Sequence, residues 1–461
     1  MSEDWAKLAG EKGEDIPTSR FKRALSIGSM GARVTASTLA GKLGSMVLPA
    51  SKDKRDELLK AAYVKNAEKI VDTLGKLKGA SLKIGQLLSA DPELLPPEFS
   101  DVMSSLQRSA PPMTFETVRS QIEAAYDRPM ETIFSYFDPE PAGAASIGQV
   151  HRARLESGED VAVKVQYPRV ADSLESDLKT LGSMMSYGRA VIDKSRLNSY
   201  LEEIRSVVLT EADYRIEAQN LARFHELTSA KDGVRSPRPF LELATQTVVV
   251  MEFMEGRPLE DALREMTDEP ERRDSILLDW VALFSWMFHE LHELHADPHP
   301  GNFLLDADDQ IVMLDFGCVK SFEPEFTDLF LDVLDAVWQG DHCRAVEHYL
   351  ELGFGTKGKD GARFDAELMK EYNEIILAPF LTDQPFEFST WSPAKEGKLF
   401  MLRHPSLFSL VPPSEALPYF RVLSGIKGLL AKLDARLVVS TTAIETARKR
   451  GRLTKDPVFT P

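Results

Sequence analysis

The chain has 461 residues, 43% of them hydrophobic and 28% charged, enough apolar material for two core-bearing units and an added helical layer. A net charge of −17 excludes nucleic acid as a general partner, since a polyanion repels an acidic protein. Two cysteines exclude a secreted disulfide framework and point to a reducing, cytoplasmic setting.

Residues 16–52 contradict the acidic average. They hold no Asp or Glu, and Arg20, Lys22, Arg23, Arg33, Lys42 and Lys52 alternate with Phe21, Leu25, Ile27, Met30, Val34, Leu39, Leu43, Met46, Val47 and Leu48. Such a basic amphipathic stretch either lies on an anionic membrane surface or packs as an arm on the acidic body. Its longest uncharged runs are nine residues, far short of the ~20 that span a bilayer. It also lacks the continuous apolar run of a cleaved secretory signal, and the C-terminal stretch 448–461 is polar. Any membrane association is therefore expected to be peripheral, without a signal peptide or transmembrane span.

Residues 55–88 carry apolar positions at helical spacing, and Lys83 and Gln86 share one face of that helix. Spacing alone leaves open whether that face meets solvent or a site. The prolines at 111 and 112 close this N-terminal helical extension, residues 1–110. Next stands Gly143-Ala144-Ala145-Ser146-Ile147-Gly148-Gln149-Val150, placed as a glycine-rich loop would be but with Ala145 where a second glycine belongs. Alanine stiffens such a cover over phosphates.

Residues 150–154 and 161–165 read as two strands joined by Ser157-Gly158-Glu159-Asp160. Lys164 on the second strand needs an anionic partner if it is buried. Glu217, in the helical run 214–218, is the candidate, and Glu211 and Asp213 stand just ahead of that run. Residues 247–251 read as a strand leading to Glu252-Phe253-Met254, a hinge able to read an adenine through backbone groups. The expected small lobe is 111–254 and the large lobe 255–461.

A helix is expected over 275–294, with Ile276, Trp280, Phe284, Met287, Phe288 and Leu291 on its apolar side. It should feed directly into Asp297-Pro298-His299-Pro300-Gly301-Asn302, followed by Asp315-Phe316-Gly317. Residues 310–314 read as a buried strand delivering Asp315, with Phe303-Leu304-Leu305 as hairpin partner and Asp308-Asp309 in the turn. Mg²⁺ takes hard oxygen ligands, which Asn302 and Asp315 can supply, and Asp297 lies where a carboxylate could orient or deprotonate an attacking hydroxyl or water. Cys318 reads as a small buried filler. No Ala-Pro-Glu follows, and 319–324 runs almost at once into a helix, so a platform for peptide substrates is absent. Beyond residue 324 the pattern is helical with proline breaks such as Val411-Pro412-Pro413.

The run 141–151 (P-A-G-A-A-S-I-G-Q-V-H), Lys83-Ile84-Gly85-Gln86 and Glu211-Ala212-Asp213 resemble the alanine-rich loop, KxGQ and ExD motifs of the UbiB/AarF/ADCK atypical kinases, over roughly residues 15–450. The resemblance implies an α+β, protein-kinase-like two-lobe fold with an added N-terminal helical extension and a helical C-terminal region. It implies ATP (or ADP) and Mg²⁺ as cofactors, ATPase activity, and a role in isoprenoid quinone (ubiquinone) biosynthesis at membranes. The implied partners are an anionic membrane surface, quinone-precursor lipids and quinone-biosynthesis enzymes. It assigns Lys164 to the phosphates, Glu217 to the ion pair, Asp297 to catalysis and Asn302 with Asp315 to metal. Lys83, Gln86, Glu211 and Asp213 would pack across and occlude the site. The family pattern has alanine where Gly143 stands, so this loop is more glycine-like. The alternatives to an ATPase are a nucleotide-gated scaffold without required turnover and a true protein kinase.

Overall fold

A computed structural model describes residues 113–145, 147–168, 209–355, 365–404 and 412–459, and residues 170, 202, 205, 406, 407 and 410 besides. The basic segment 16–52, the helix 55–88 with Lys83 and Gln86, the break at 110–112 and Ser146 lie outside the described residues. The chain divides into two compact units, one of Met1–Ala222 with Arg238–Phe253 and one of Arg223–Pro237 with Met254–Pro461.

In the first unit, α1 (Phe115–Tyr126) starts at Thr114, whose side chain accepts from the Thr117 amide, and ends at Asp127 in the left-handed region. It buries Val118 and Ile122, one turn apart, on the sheet side. Strands β1 (Phe134–Ala145), β2 (Gly148–Leu155) and β3 (Asp160–Gln166) follow as antiparallel neighbours. Chain order continues with α2 (Tyr214–Ser229), β4 (Val234–Arg235) and β5 (Val248–Glu252). The sheet order is β1-β2-β3-β5. Val161, Val163 and Val165 of β3 and Val248, Val249 and Val250 of β5 are fully buried, as β-branched residues on a covered sheet should be. Gly148 is required there: a Cβ would stand 2.3 Å from the Val165 carbonyl oxygen.

In the second unit, β4 pairs in parallel with β9 (Ile311–Met313), and the sheet order is β4-β9-β8-β6, where β6 is Arg257–Pro258 and β8 is Phe303–Leu305. Helix α3 (Leu259–Glu265) packs against β6 and β8, and α4 (Pro270–His289) follows it in the chain. Trp280 and Phe284 of α4 meet Phe303 of β8 edge to face, with centroids 6.0 and 5.9 Å away, and meet each other at 5.3 Å. Each such fully buried aromatic contributes about 1.5–3 kcal/mol by burial alone.

The helix expected over 275–294 is α4, which begins earlier and stops at His289. Two features explain the stop. His292 takes φ of 55°, which no continuing helix tolerates, and residues Glu293–His295 form strand β7, paired with β10 (Val319–Ser321). Leu291 therefore lies outside the helix whose apolar face it was expected to join.

Beyond β10 come α5 (Pro324–Trp338), α6 (His342–Glu351), α7 (Ala366–Ile376), β11 (Phe386–Glu387), α8 (Pro393–Arg403), α9 (Leu417–Lys432), β12 (Arg436–Leu437) and α10 (Ser440–Lys449). Two short strands, β11 and β12, pair within this otherwise helical region. Phe400, Met369, Val346 and Val333, from four of these helices, share one core.

At the end of α4, His289 is buried and its Nδ1 donates to the Thr327 carbonyl at 3.1 Å. Burial pushes its pKa down to about 3, against the smaller opposing pull of that carbonyl. The neutral ring's contribution is thus full above the ordinary 6.5 and is lost as pH falls from there toward 3. Urea unfolding at graded pH is expected to lose up to about 5 kcal/mol over that window. His289→Gln, which keeps a donor for Thr327, is expected to flatten it.

Candidate active-site residues

The first unit presents a lysine and a carboxylate in contact. Lys164 lies mid-strand in β3, with Val150 of β2 and Val249 of β5 as its register partners. Its ammonium is 5% exposed as a residue and reaches Glu217 of α2 at 2.6 Å, the Glu217 residue being 2% exposed. The Tyr214 ring lies 5.2 Å from the same ammonium. A desolvated lysine so held is a fixed point charge, the form in which lysine grips phosphate.

The segment before α2 is tied to the end of β3: Gln166 donates to the Ala212 carbonyl at 3.0 Å. Glu211 is buried. Asp213 is engaged as a helix cap and pairs both carboxylate oxygens with Arg215, at 2.9 and 2.6 Å. The Arg215 hydrogen bonds hold its carboxyl below the usual carboxylate range.

The run Gly143-Ala144-Ala145 belongs to β1, and Ala145 pairs with Gly148 across a two-residue tip. Ile147 is buried at that tip, whereas Gly143 is exposed with no atom within 4 Å of where a Cβ would stand. Alanine at 143 would fit without strain. Val150 is half-buried on β2. At the end of β5 the Glu252 amide donates to the Arg238 carbonyl at 2.8 Å and the Phe253 amide to Asp160 at 3.1 Å. Those two amides are engaged by protein, so of the residues expected to read an adenine, Glu252 offers only its carbonyl. Met254 is buried and belongs to the second unit.

The second unit assembles the acidic and amide groups. Asp297 follows β7, Asn302 precedes β8, and Asp315 stands between β9 and β10. The strand pairings β8 with β9 and β7 with β10 bring these three loops to one end of the strands. The Asn302 amide nitrogen donates to the Asp297 carbonyl at 3.3 Å, which directs its amide oxygen away. Asp315 Oδ1 accepts the Gly317 amide at 2.9 Å, and the Asp315 carbonyl accepts from His295 Nε2. All three candidate side chains are half-buried.

Two oriented hard oxygen donors suit Mg²⁺, which takes few protein ligands and completes its shell with water and phosphate oxygens. Among the described residues no group of three or more His, Cys, Asp or Glu is arranged to hold a metal by itself. The donors fit an ion that arrives with a phosphate.

Sequence reading missed two supports of this loop. His295 is fully buried against Phe303 and Phe316 and holds the Asp315 backbone. Its place two residues before Asp297 was the available signal. Gly425 of α9 is the other: a Cβ there would stand 2.4 Å from Pro298 Cγ, so only glycine lets this helix approach the loop. No local pattern could show it, because the two are 127 residues apart. Gly425→Ala is expected to displace Pro298 and cut phosphate release at least about tenfold, since misplacement by about 1 Å can cost far more. Circular dichroism of the same variant should remain native. Cys318 is buried, as expected of a filler, and Arg421 Nη2 donates to its sulfur at 3.2 Å.

A buried lysine–glutamate pair on a four-stranded antiparallel sheet, an Asp and Asn before a hairpin, and an Asp-Phe-Gly after it define a kinase-like protein. Residues 105–349 match the ABC1 atypical kinase-like domain, and the chain belongs to this family, the UbiB/AarF group of atypical kinases. It is 32% identical over 385 residues to Atypical kinase coq-8, mitochondrial, of Caenorhabditis elegans, covering 80% of this chain and 49% of that one. It is 30% identical over 438 residues to Atypical kinase COQ8, mitochondrial, of Saccharomyces cerevisiae, covering 92% and 84%. The chain thus spans about half of the nematode relative and most of the yeast one. Among solved structures, that of Rv3197 with erythromycin from Mycobacterium tuberculosis matches at a TM-score of 0.58 and 26% identity, covering 85% of this chain and 98% of that one.

Proposed function

We propose that this chain is an Mg²⁺-dependent atypical kinase or ATPase that binds ATP (or ADP) and supports isoprenoid quinone biosynthesis at an anionic membrane surface. The observation that carries the reading is the oriented oxygen pair of Asn302 and Asp315 in the same loop cluster as Asp297. Mg²⁺, bound with the nucleotide, would neutralise phosphate charge there. Lys164, kept in place by Glu217, contributes a fixed positive charge to the phosphates, and residues 143–150 with the Glu252 carbonyl and Met254 hold the rest of the nucleotide. Asp297 takes the proton of the attacking water or substrate hydroxyl as the terminal phosphoryl group leaves its diphosphate.

Hydrolysis or transfer to a small lipid-like acceptor is favoured over protein phosphorylation by the link after Asp-Phe-Gly. Only β10 and two residues separate that motif's neighbour Cys318 from α5, which begins at Pro324. That is too little chain to form a peptide platform. The quinone role and its enzyme partners rest on the family resemblance. So do the occluding roles of Lys83, Gln86, Glu211 and Asp213. No helix among the described residues is long and apolar enough to cross a membrane; peripheral attachment through residues 16–52 rests on their basic, amphipathic sequence.

The test is phosphate release by the full chain with Mg²⁺-ATP, with and without vesicles containing anionic lipid and a polyprenyl phenol. Release above an Asp315→Asn control, raised by the vesicles, is the expected result. Tight nucleotide binding without release would instead indicate a nucleotide-gated scaffold, and phosphate on a protein added in trans a protein kinase.

A further inference from the structure

Helix α8 presents an apolar stripe that no described element covers. Leu399 is 50% exposed and Leu402 58%, two of the largest exposures among apolar side chains of the described residues. The helix is fixed from behind: Gly397 lies against Tyr372 of α7, and Phe400 is buried with its ring 6.1 Å from that tyrosine's. Its outward face therefore does not turn inward on a small rearrangement.

Cations bracket the leucines at helical spacing. Lys395 and Arg403 stand one turn before and after Leu399, and Lys398 stands one turn before Leu402. All three are exposed, and Arg403 lies close to the helix, its Nε 3.4 Å from the Leu399 carbonyl and its guanidinium 5.7 Å from the Phe400 ring centre. At 100° per residue, Leu399 and Leu402 lie about 60° apart with Lys395 between them at the N-terminal end of the arc, and Lys398 and Arg403 flank them about 40° to either side. One acid, Glu396, sits at the edge beyond Arg403.

We propose that this face of α8 docks on an anionic lipid surface, with Leu399 and Leu402 entering the headgroup boundary and Lys395, Lys398 and Arg403 meeting lipid phosphates. Charge decides for lipid over a general sticky patch: a chain of net charge −17 is repelled by an anionic bilayer everywhere except at a local cationic face, so the face also sets orientation. Area decides against a second protein. Two half-exposed leucines supply much less than the ~800 Å² per partner of a stable protein interface. They suffice for an interfacial contact whose cationic stems snorkel to the phosphates.

The proposal rests on the chain's meeting a membrane at all, and it names a contact distinct from residues 16–52. The experiment separates the two. In the full chain carrying Cys343→Ser and Leu402→Cys, an environment-sensitive nitrobenzoxadiazole label is attached at position 402, Cys318 being buried. Vesicles of phosphatidylcholine, alone or with phosphatidylglycerol, are then added.

The expected result is a blue shift and brightening with the anionic vesicles alone, reversed by salt. In the unlabelled chain, Lys395→Glu, Lys398→Glu and Arg403→Glu together should weaken flotation about tenfold or more. Co-flotation with an unchanged label overturns this surface and leaves the membrane reading standing. No flotation at all overturns both. A label already blue-shifted without lipid overturns the proposal too, because the chain or a second copy then covers α8, and the mass in solution tells which.

Discussion

Glu217→Ala is expected to lower the stability of the unit carrying the sheet β1-β2-β3-β5 by about 3–5 kcal/mol and to abolish nucleotide binding. The reason is asymmetry. A paired buried charge is roughly neutral in its balance of desolvation and attraction, whereas a buried ammonium without its carboxylate keeps the full desolvation cost. Lys164 and Glu217 are 5% and 2% exposed and 2.6 Å apart, so water cannot compensate for the loss. The double variant Lys164→Met with Glu217→Leu removes both charges and fills similar volume. It is expected to regain most of the stability and none of the nucleotide binding. Thermal unfolding followed beside fluorescent-nucleotide titration separates the two quantities. If the double variant bound nucleotide like the parent, the pair would be structural and the phosphate role of Lys164 would be wrong.

The second large effect divides the acidic cluster. Asp297→Asn is expected to reduce phosphate release by about 10²–10⁴-fold while leaving Mg²⁺-nucleotide affinity nearly unchanged, because the amide keeps the shape but cannot take a proton. Asp315→Ala is expected to remove the Mg²⁺ dependence of nucleotide binding itself, since it deletes one of two hard donors. Asp315 Oδ1 also accepts the Gly317 amide, so Asp315→Asn is the milder control that preserves this turn. Equilibrium dialysis with and without Mg²⁺, set beside single-turnover release, distinguishes loss of chemistry from loss of binding. Equal losses in both variants would show that Asp297 acts on binding and has no separate part in turnover.

Much of this chemistry was legible from order and spacing. Strand-forming residues around Lys164, the hairpin of Phe303-Leu304-Leu305 with the strand ending at Met313, and the Asp309 turn all carry local signals. The turn is pinned as its residue types suggest: Asp306 Oδ1 accepts the Asp308 and Gln310 amides, and Asp309 pairs with Arg272. What escaped was decided at a distance. The end of α4 depends on His292 adopting a left-handed backbone so that the chain can turn into β7, which is fixed by pairing with β10. The apolar periodicity through Leu291 gave no warning of it. Asp213 resembled a site residue by motif, yet its nearest physical partner is Arg215, two positions on. Gly425 was unremarkable until α9 was seen against Pro298.

The brief link after Asp-Phe-Gly has a pharmacological consequence. In kinases the packing of the Phe of this motif sets active against inactive states, and moving it outward needs slack in the chain behind it. Here Phe316 is fully buried between Phe224 and His295, β10 is paired residue by residue with β7, and the Phe322 amide is bonded to the His292 carbonyl at 2.8 Å. An outward swing would have to strip that pairing and pull on the start of α5. Inhibitors that trap a flipped motif should therefore fail against this protein, and selective compounds will have to fit the motif as it is packed here.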